Sequence, residues 1–337
     1  MTREPRVAVI GAGSWGTTVA AIAARNGPTV LWSRRPEIAA SINEGHENGA
    51  YLPGAKLPPA LTATASLEEA VVGADVLVMG VPSHGFRSVL EQAEPHIRPW
   101  IPVVSLSKGL EQGSRMRMTE VVGDVLPGHP AGVLAGPNLA REVLEGFAAA
   151  AVVAMADESV AEALQTIFRT TIFRVYTSND VLGVEIAGAL KNVFAIAAGM
   201  AVGLGTGDNT RAMVLTRSLA ELSRLGEAMG GDPRTFAGLA GMGDLIATCI
   251  SPLSRNRHVG EQLALGRSLE EITSEMKMVA EGIKTCRVVM ELAEEYGVEM
   301  PIAAEVDAVV NDGKPVLEAY RGLARMKPTH EIHGAGP

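Results

Sequence analysis

Seven short runs of apolar and β-branched residues divide the first half of the chain: 6–10, 29–33, 75–81, 101–106, 132–135, 148–155 and 172–176. Each is a near-continuous apolar stretch bounded by turn residues, which suits strands buried on both faces. The segments between them are long enough for helices, so the alternation predicts an α/β, doubly wound parallel sheet. After Asn179 the strand signal stops. The remainder of the chain is rich in Ala, Leu and Met at helical spacing over 184–200, 212–229, 233–239, 269–276, 282–296 and 303–311. The expected organisation is an α/β domain over 1–178 and an all-α domain over 179–326. A polar, Gly/Pro-rich tail over 327–337 is expected to be disordered. His330 and His333 in that tail could pair on a metal, but two histidines on a loose tail are more often solvated.

Directly after the first run comes Gly11-Ala12-Gly13-Ser14-Trp15-Gly16, and a helical pattern over 17–26 follows it. In a strand–turn–helix context each glycine has a task. Gly11 allows the tight turn, Gly13 lets backbone approach a pyrophosphate, and Gly16 lets the helix pack on the strand. The helix N-terminus then offers free N–H groups to the anion. The position makes this a dinucleotide site and the N-terminal domain Rossmann-type. Ser14 belongs to the turn, and Trp15, large and apolar inside it, is a candidate wall for the cofactor.

The second strand ends in Arg34-Arg35, about 20 residues beyond the glycines, where an NAD-selective site normally carries an acid for the ribose 2′-hydroxyl. Two arginines suit a 2′-phosphate instead, through charge-assisted bonds. Glu37, following Pro36, reads as a first-turn helix residue. NADPH is therefore the preferred cofactor, with NADH possible.

Other candidates cluster after later strands: Pro82-Ser83, Lys108-Gly109, and Gly136-Pro137-Asn138. In an open parallel sheet, ligands bind outside the carboxyl ends of the strands, so these segments are expected to converge. In the helical half, Lys191-Asn192 sits among Ala187, Gly188 and Ala195. Charges are so few from 186 to 202 that this helix is expected to be buried nearly all round. A buried lysine needs a partner. Asp244, in Gly241-Met242-Gly243-Asp244, is the candidate, though it reads equally well as a helix N-cap. Ser254-Arg255-Asn256-Arg257 is a polar cluster after a Pro252 turn, otherwise a plain surface loop. In a chain of net charge −9 it is a candidate anion clamp. The glycine-rich stretch 199–207 lacks the Lys-Ser/Thr of a phosphate-binding P-loop and reads as a helix-to-helix loop.

Composition closes off other classes. Lys+Arg total 29 against 38 Asp+Glu, and aromatics are only 4%, which argues against a nucleic-acid binder. With two cysteines, Cys249 and Cys286, neither a disulfide framework nor a four-cysteine zinc site can form, and no metal is expected. The N-terminus does not read as a secretory signal, and the longest apolar helical candidate, 186–202, contains Lys191, so no membrane span is expected. These features describe a globular protein of a reducing compartment.

The assembled motifs resemble the bacterial type of NAD(P)-dependent glycerol-3-phosphate dehydrogenase. The matching segments, in order, are GAGSWGT (11–17), YLPGAKLP (51–58), VPS (81–83), SKGLE (107–111), AGPNLAREV (135–143), ALKNV (189–193), GLAGMGDLIATC (238–249), SRNR (254–257) and VAEG (279–282). The resemblance implies reversible, NAD(P)H-dependent reduction of dihydroxyacetone phosphate, a small phosphorylated substrate, by a cytoplasmic homodimer that supplies glycerophospholipid synthesis. It implies Lys191 as acid/base, Lys108 touching substrate and cofactor, and Asp244 as the third member of the catalytic group. Lys108, Gly136, Asn138, Lys191, Asn192, Asp244, Thr248, Ser254, Arg255 and Asn256 would line the substrate. Ser14, Trp15, Arg34, Ala140, Val279 and Glu281 would line the cofactor, with Arg255 reaching it too; Arg35 is added from the charge argument. Position 138 is Asn where the family often has Ser or Thr.

Two other readings remain open at this point. A related dehydrogenase acting on a 2- or 3-hydroxy acid would not need the 254–257 cluster in this form. A non-catalytic NAD(P)H sensor would not need the two lysines.

Overall fold

The computed structural model describes residues 4–276 and 279–325; the tail expected over 327–337, with His330 and His333, lies outside the described residues. The strands are β1 (Val7–Ile10), β2 (Thr29–Trp32), β3 (Leu61–Thr64), β4 (Val76–Met79), β5 (Val103–Ser105), β6 (Ala131–Ala135), β7 (Ala149–Met155) and β8 (Phe173–Ser178). They form one sheet in the order β3-β2-β1-β4-β5-β6-β7-β8. The order reverses between β1 and β4, which places a topological switch point beside the glycine turn. In β1, Val7 and Val9 pack into one apolar core and Ala8 and Ile10 into another. The sheet is thus covered on both faces, which is why its strands are continuously apolar.

Two features correct the sequence expectation. An eighth strand, β3, escapes the pattern of apolar runs. Its sequence, Leu-Thr-Ala-Thr, alternates buried and more open positions at the sheet edge, so it lacks the continuous apolar signature of its neighbours. The sheet is also not wholly parallel, because β6 and β7 pair antiparallel. Their connection carries only the five-residue helix Ala140–Leu144, and the chain returns beside β6 rather than crossing a face of the sheet. The 11-residue helix Glu158–Phe168 then carries the crossover that makes β7 and β8 parallel.

The chain divides into two compact units after Glu185, inside the helix Val181–Gly203; the boundary expected after Ser178 lies at the end of β8. Among the described residues, no strand follows Ser178. The second unit holds helices Asp208–Ala228, Pro233–Phe236, Asp244–Ile250, Arg255–Ala264, Leu269–Glu275, Glu281–Glu295, Pro301–Asp312 and Val316–Arg325. The stretch 199–207 is not a loop throughout, since the first helix runs on to Gly203. Two of its glycines, Gly199 and Gly203, serve helix packing. A Cβ on Gly199 would sit 1.9 Å from the Arg257 carbonyl oxygen, so only glycine allows the two helices so close. By length and composition Val181–Gly203 is apolar enough to cross a membrane, and 83% of its most apolar window is buried inside the protein.

Candidate functional site

The glycine turn has the geometry its sequence asks for. Gly11 has φ +118°, and a Cβ there would come within 2.7 Å of the Gly80 carbonyl oxygen on the neighbouring strand's exit. A Cβ on Gly16 would lie 2.0 Å from the Gly11 oxygen, so turn and helix can pack only as glycines. Gly13 is the N-cap of helix Ser14–Ala23 with no side-chain cap, and its Cβ position is open. The first-turn amides are thereby left to an anion.

The turn is braced by residues that the sequence does not advertise. Asn48 is buried, and its Nδ2 donates to the Ala12 carbonyl and to Thr17 Oγ1, both at 2.9 Å. Ser14 Oγ donates to the Tyr51 carbonyl at 3.3 Å, and Thr18 Oγ1 donates to the Ser14 and Ala140 carbonyls. Asn48 stands in a Gly/Asn-rich stretch and reads as an ordinary turn residue, so only its three-dimensional partners reveal it. The Trp15 and Phe173 ring centroids lie 6.1 Å apart, and the buried Trp15 Nε1 has no hydrogen-bond partner among the described residues.

The carboxyl ends of β1, β4, β5 and β6 stand side by side on one edge of the sheet. Ser83 opens helix Ser83–Ala93 after β4. Lys108, after β5, donates from Nζ to the Gly136 carbonyl at 2.9 Å, joining two of the predicted segments directly. Gly136 has φ +139°. Both polar atoms of the Asn138 amide are buried without a hydrogen-bond partner among the described residues, an arrangement that costs free energy unless something else completes it. At the end of β2, Arg34 is exposed, and Arg35 is the N-cap residue of helix Pro36–Gly45. An uncapped helix start, an open Gly13, orphaned buried polar atoms and an exposed arginine at the end of β2 together fit a dinucleotide.

In the helical unit, Lys191 is almost closed to solvent. Its Nζ lies 3.0 Å from Asp244 Oδ1 and donates to Thr248 Oγ1 at 2.6 Å, and that hydroxyl donates to Asp244 Oδ1 at 3.1 Å. Asp244 is not the N-cap that its position suggested. It is the first residue of helix Asp244–Ile250, following the π-helical turn Leu239–Gly243, and its carboxylate turns to the lysine and threonine. Expected helix 233–239 stops at Phe236, ahead of that turn. Cys249, one residue beyond Thr248, is buried; desolvation pushes its thiol pKa up to about 12, against the pull of the Lys191 charge.

The cluster 254–257 is not a loop. Ser254 is the N-cap of helix Arg255–Ala264, and its Oγ accepts from the Arg257 amide at 3.3 Å. Arg255 projects from the first turn, is exposed, and donates from Nη1 to the Val279 carbonyl at 2.6 Å. Asn256 points the other way. It is buried, donates from Nδ2 to Asn192 Oδ1 at 2.8 Å, and accepts the Gly282 amide at 3.0 Å. Asn256 therefore ties the lysine's helix to the start of helix Glu281–Glu295, in which Glu281 is the first residue. Within this unit the structure brings together Lys191, Asp244 and Thr248, then Asn192, Asn256 and Gly282, then Arg255 and Val279.

Comparison with known proteins agrees over the whole length. Residues 6–161 match the family described as NAD-dependent glycerol-3-phosphate dehydrogenase N-terminus, and residues 180–321 match its C-terminus. The chain is 61% identical over 335 residues to glycerol-3-phosphate dehydrogenase [NAD(P)+] of Mycobacterium avium, covering 99% of this chain and 98% of that one. It is 51% identical to the protein of the same name from Thermobifida fusca, covering 98% and 99%. The crystal structure of glycerol-3-phosphate dehydrogenase from Coxiella burnetii superposes with a TM-score of 0.92 at 34% identity, covering 96% of this chain and 99% of that one. The fold, the residues of the glycine turn and the full-length matches lead to one conclusion: this chain belongs to the NAD-dependent glycerol-3-phosphate dehydrogenase family.

Proposed function

We propose that the protein reduces dihydroxyacetone phosphate reversibly to sn-glycerol 3-phosphate, preferring NADPH to NADH, as a cytoplasmic homodimer. The observation that carries the reading is the Lys191–Asp244–Thr248 group. A lysine shut away from water is costly unless its charge is matched, and here a carboxylate and a hydroxyl both hold it. An ammonium fixed in that way is a proton donor of defined position.

When bound, the nicotinamide cofactor supplies the hydride. Lys191 donates the proton that the substrate's carbonyl oxygen needs, and its charge stabilises the oxyanion as it develops. Asp244 and Thr248 keep the ammonium oriented. In the oxidative direction the neutral amine of Lys191 accepts the proton. Lys108 is the second cation assigned to the oxyanion, so the scheme calls on no metal. Arg255 binds the phosphate, with Ser254, Gly136 and Asn138 lining the rest of the substrate. Fixing the phosphate positions the carbonyl for reaction. Asn192 and Asn256 act by holding the helices that carry Lys191 and Arg255. Gly11, Gly13, Ser14, Trp15, Gly16, Arg34, Arg35 and Ala140 are assigned to the dinucleotide, as are Val279 and Glu281.

The test is oxidation of NADPH in the presence of dihydroxyacetone phosphate, set against pyruvate and branched 2-keto acids. Turnover with the phosphate ester alone is the expected result. Reduction of a keto acid instead would move the protein to the hydroxy-acid dehydrogenases, and cofactor binding without turnover would leave a sensor.

A further inference from the structure

The segment after helix Pro36–Gly45 folds into a small hairpin, closed by an antiparallel bridge between Glu47 and Lys56 and by their ion pair at 2.6 Å. Two bonds fasten this hairpin to the phosphate turn, from Asn48 to Ala12 and from Ser14 to the Tyr51 carbonyl. Tyr51 is thus held at a set place beside the N-terminus of helix Ser14–Ala23. Its ring carries the guanidinium of Arg35, whose central carbon lies 5.1 Å from the ring centroid. Arg35 is also steadied from its own strand end. Its amide donates to Ser33 Oγ at 3.2 Å, and its Nε lies 3.8 Å from Glu37 Oε1. Arg34 differs on every count: it is exposed, and it forms no ion pair among the described residues.

Building on the dinucleotide reading of this unit, we propose that the Arg35–Tyr51 stack is the platform for the adenine ring and that Arg34 alone reads the 2′-phosphate. A guanidinium held over an aromatic ring combines a flat cation with a flat π-system, a pairing suited to receive a flat heteroaromatic base. The edge of Arg35 meets the Glu37 carboxylate, which repels a second anion from that side. Arg34 has no acid competing for its fork and can give a phosphate two parallel bonds. The hairpin ties the platform to the turn where the pyrophosphate binds, so base and phosphates are read by one connected piece of structure. The two arginines, adjacent in sequence and equal in charge, then divide affinity and selectivity between them.

Calorimetric titration with 2′-phospho-ADP-ribose and with ADP-ribose tests this without turnover, because neither fragment carries nicotinamide. The unaltered protein should bind the phosphorylated fragment more tightly by about tenfold or more. Arg34→Ala should erase that advantage and leave ADP-ribose affinity unchanged. Arg35→Ala and Tyr51→Leu should weaken both fragments by the same factor, about three- to tenfold, and keep their ratio. Tyr51→Phe retains the ring and should bind like the unaltered protein, which controls for the fold of the hairpin. The proposal is overturned if Arg35→Ala erases the ratio as Arg34→Ala does, or if Tyr51→Leu leaves both affinities intact. An unaltered protein that binds neither fragment overturns the dinucleotide reading itself, and the division of labour with it.

Discussion

Lys191 and Asp244 form an ion pair at 3.0 Å in which the side chains keep only 5% and 3% of their exposure. Removing one member of such a pair strands the other in a low-dielectric site, whereas removing both costs much less. Structural and chemical roles can therefore be separated.

Lys191→Met should abolish most of kcat, by about a thousandfold or more if proton donation and oxyanion stabilisation are both lost. It should also destabilise the fold by about 3–5 kcal/mol, because the buried Asp244 carboxylate loses its cation. The double variant Lys191→Met/Asp244→Leu should recover much of that stability and none of the activity. Thermal melts and steady-state rates read the two effects. A double variant that regains turnover would make the pair purely structural.

Arg255 is predicted to serve the substrate's phosphate. Its guanidinium is exposed and spends one arm on the Val279 carbonyl, so a dianion can still engage the rest of the fork. Arg255→Lys keeps the charge and loses the fork, and should still damage catalysis. The loss should fall on kcat as well as KM, because anchoring the phosphate also positions the carbonyl. The measurement is kcat/KM for dihydroxyacetone phosphate against dihydroxyacetone. Arg255→Ala should lose most of the discrimination between them. Equal losses on both substrates would assign the residue to the cofactor or to the chemistry.

The range of an interaction decides whether a sequence displays it. Buried strands announce themselves locally, because both faces demand apolar side chains; β1 and β4 are legible for that reason. The edge strand β3 has no such demand, and Thr62 and Thr64 disguise it. The reversed direction of β7 is invisible in sequence, since an apolar run reads alike both ways. The Lys191–Asp244 pair is legible because a lysine in an apolar helix requires an acid and few are at hand. Asn256 reads in sequence as part of a polar loop, and the structure places it instead in the first turn of helix Arg255–Ala264. Its amide answers to Asn192 and Gly282, partners far away in sequence that nothing local implies. Ser254 carries a start signal that the loop reading overlooks, since a serine ahead of a polar helical turn is a common N-cap.

The thiols should be inert in the native state. Burial raises the Cys249 pKa to about 12 and raises that of Cys286 as well, so at pH 8 little thiolate exists and little of it is accessible. Neither cysteine should react with iodoacetamide over the time in which both react in denaturant. Mass spectrometry of the labelled native protein checks this. Rapid labelling of Cys249 that substrate blocks would show that the packing around Lys191 opens in solution.

Glu221 gives the helical unit a pH dependence of definite sign. It lies buried in helix Asp208–Ala228 and accepts the Ile302 and Ala303 amides, at 2.8 and 3.2 Å, from the first turn of helix Pro301–Asp312. Desolvation raises its pKa from 4.5 to about 7, partly opposed by those two amides and by Arg224 and Arg217. The folded state thus favours the protonated acid more than the unfolded chain does. Its stabilising contribution is complete below the ordinary pKa of 4.5 and is lost as pH rises through about 7. At 1.36 kcal/mol per pH unit, the change across that interval is about 3 kcal/mol. Glu221→Gln cannot ionise, so the stability difference between it and the unaltered protein should shift in the variant's favour by about that amount between acid and mildly alkaline pH. The fixed cost of replacing one acceptor oxygen by an NH2 group is the same at every pH and drops out of the comparison. Denaturant melts of both proteins at a series of pH values measure the shift. A difference that stays flat with pH would mean that the two helix-terminal amides offset the desolvation and leave Glu221 titrating alike in the folded and unfolded chains.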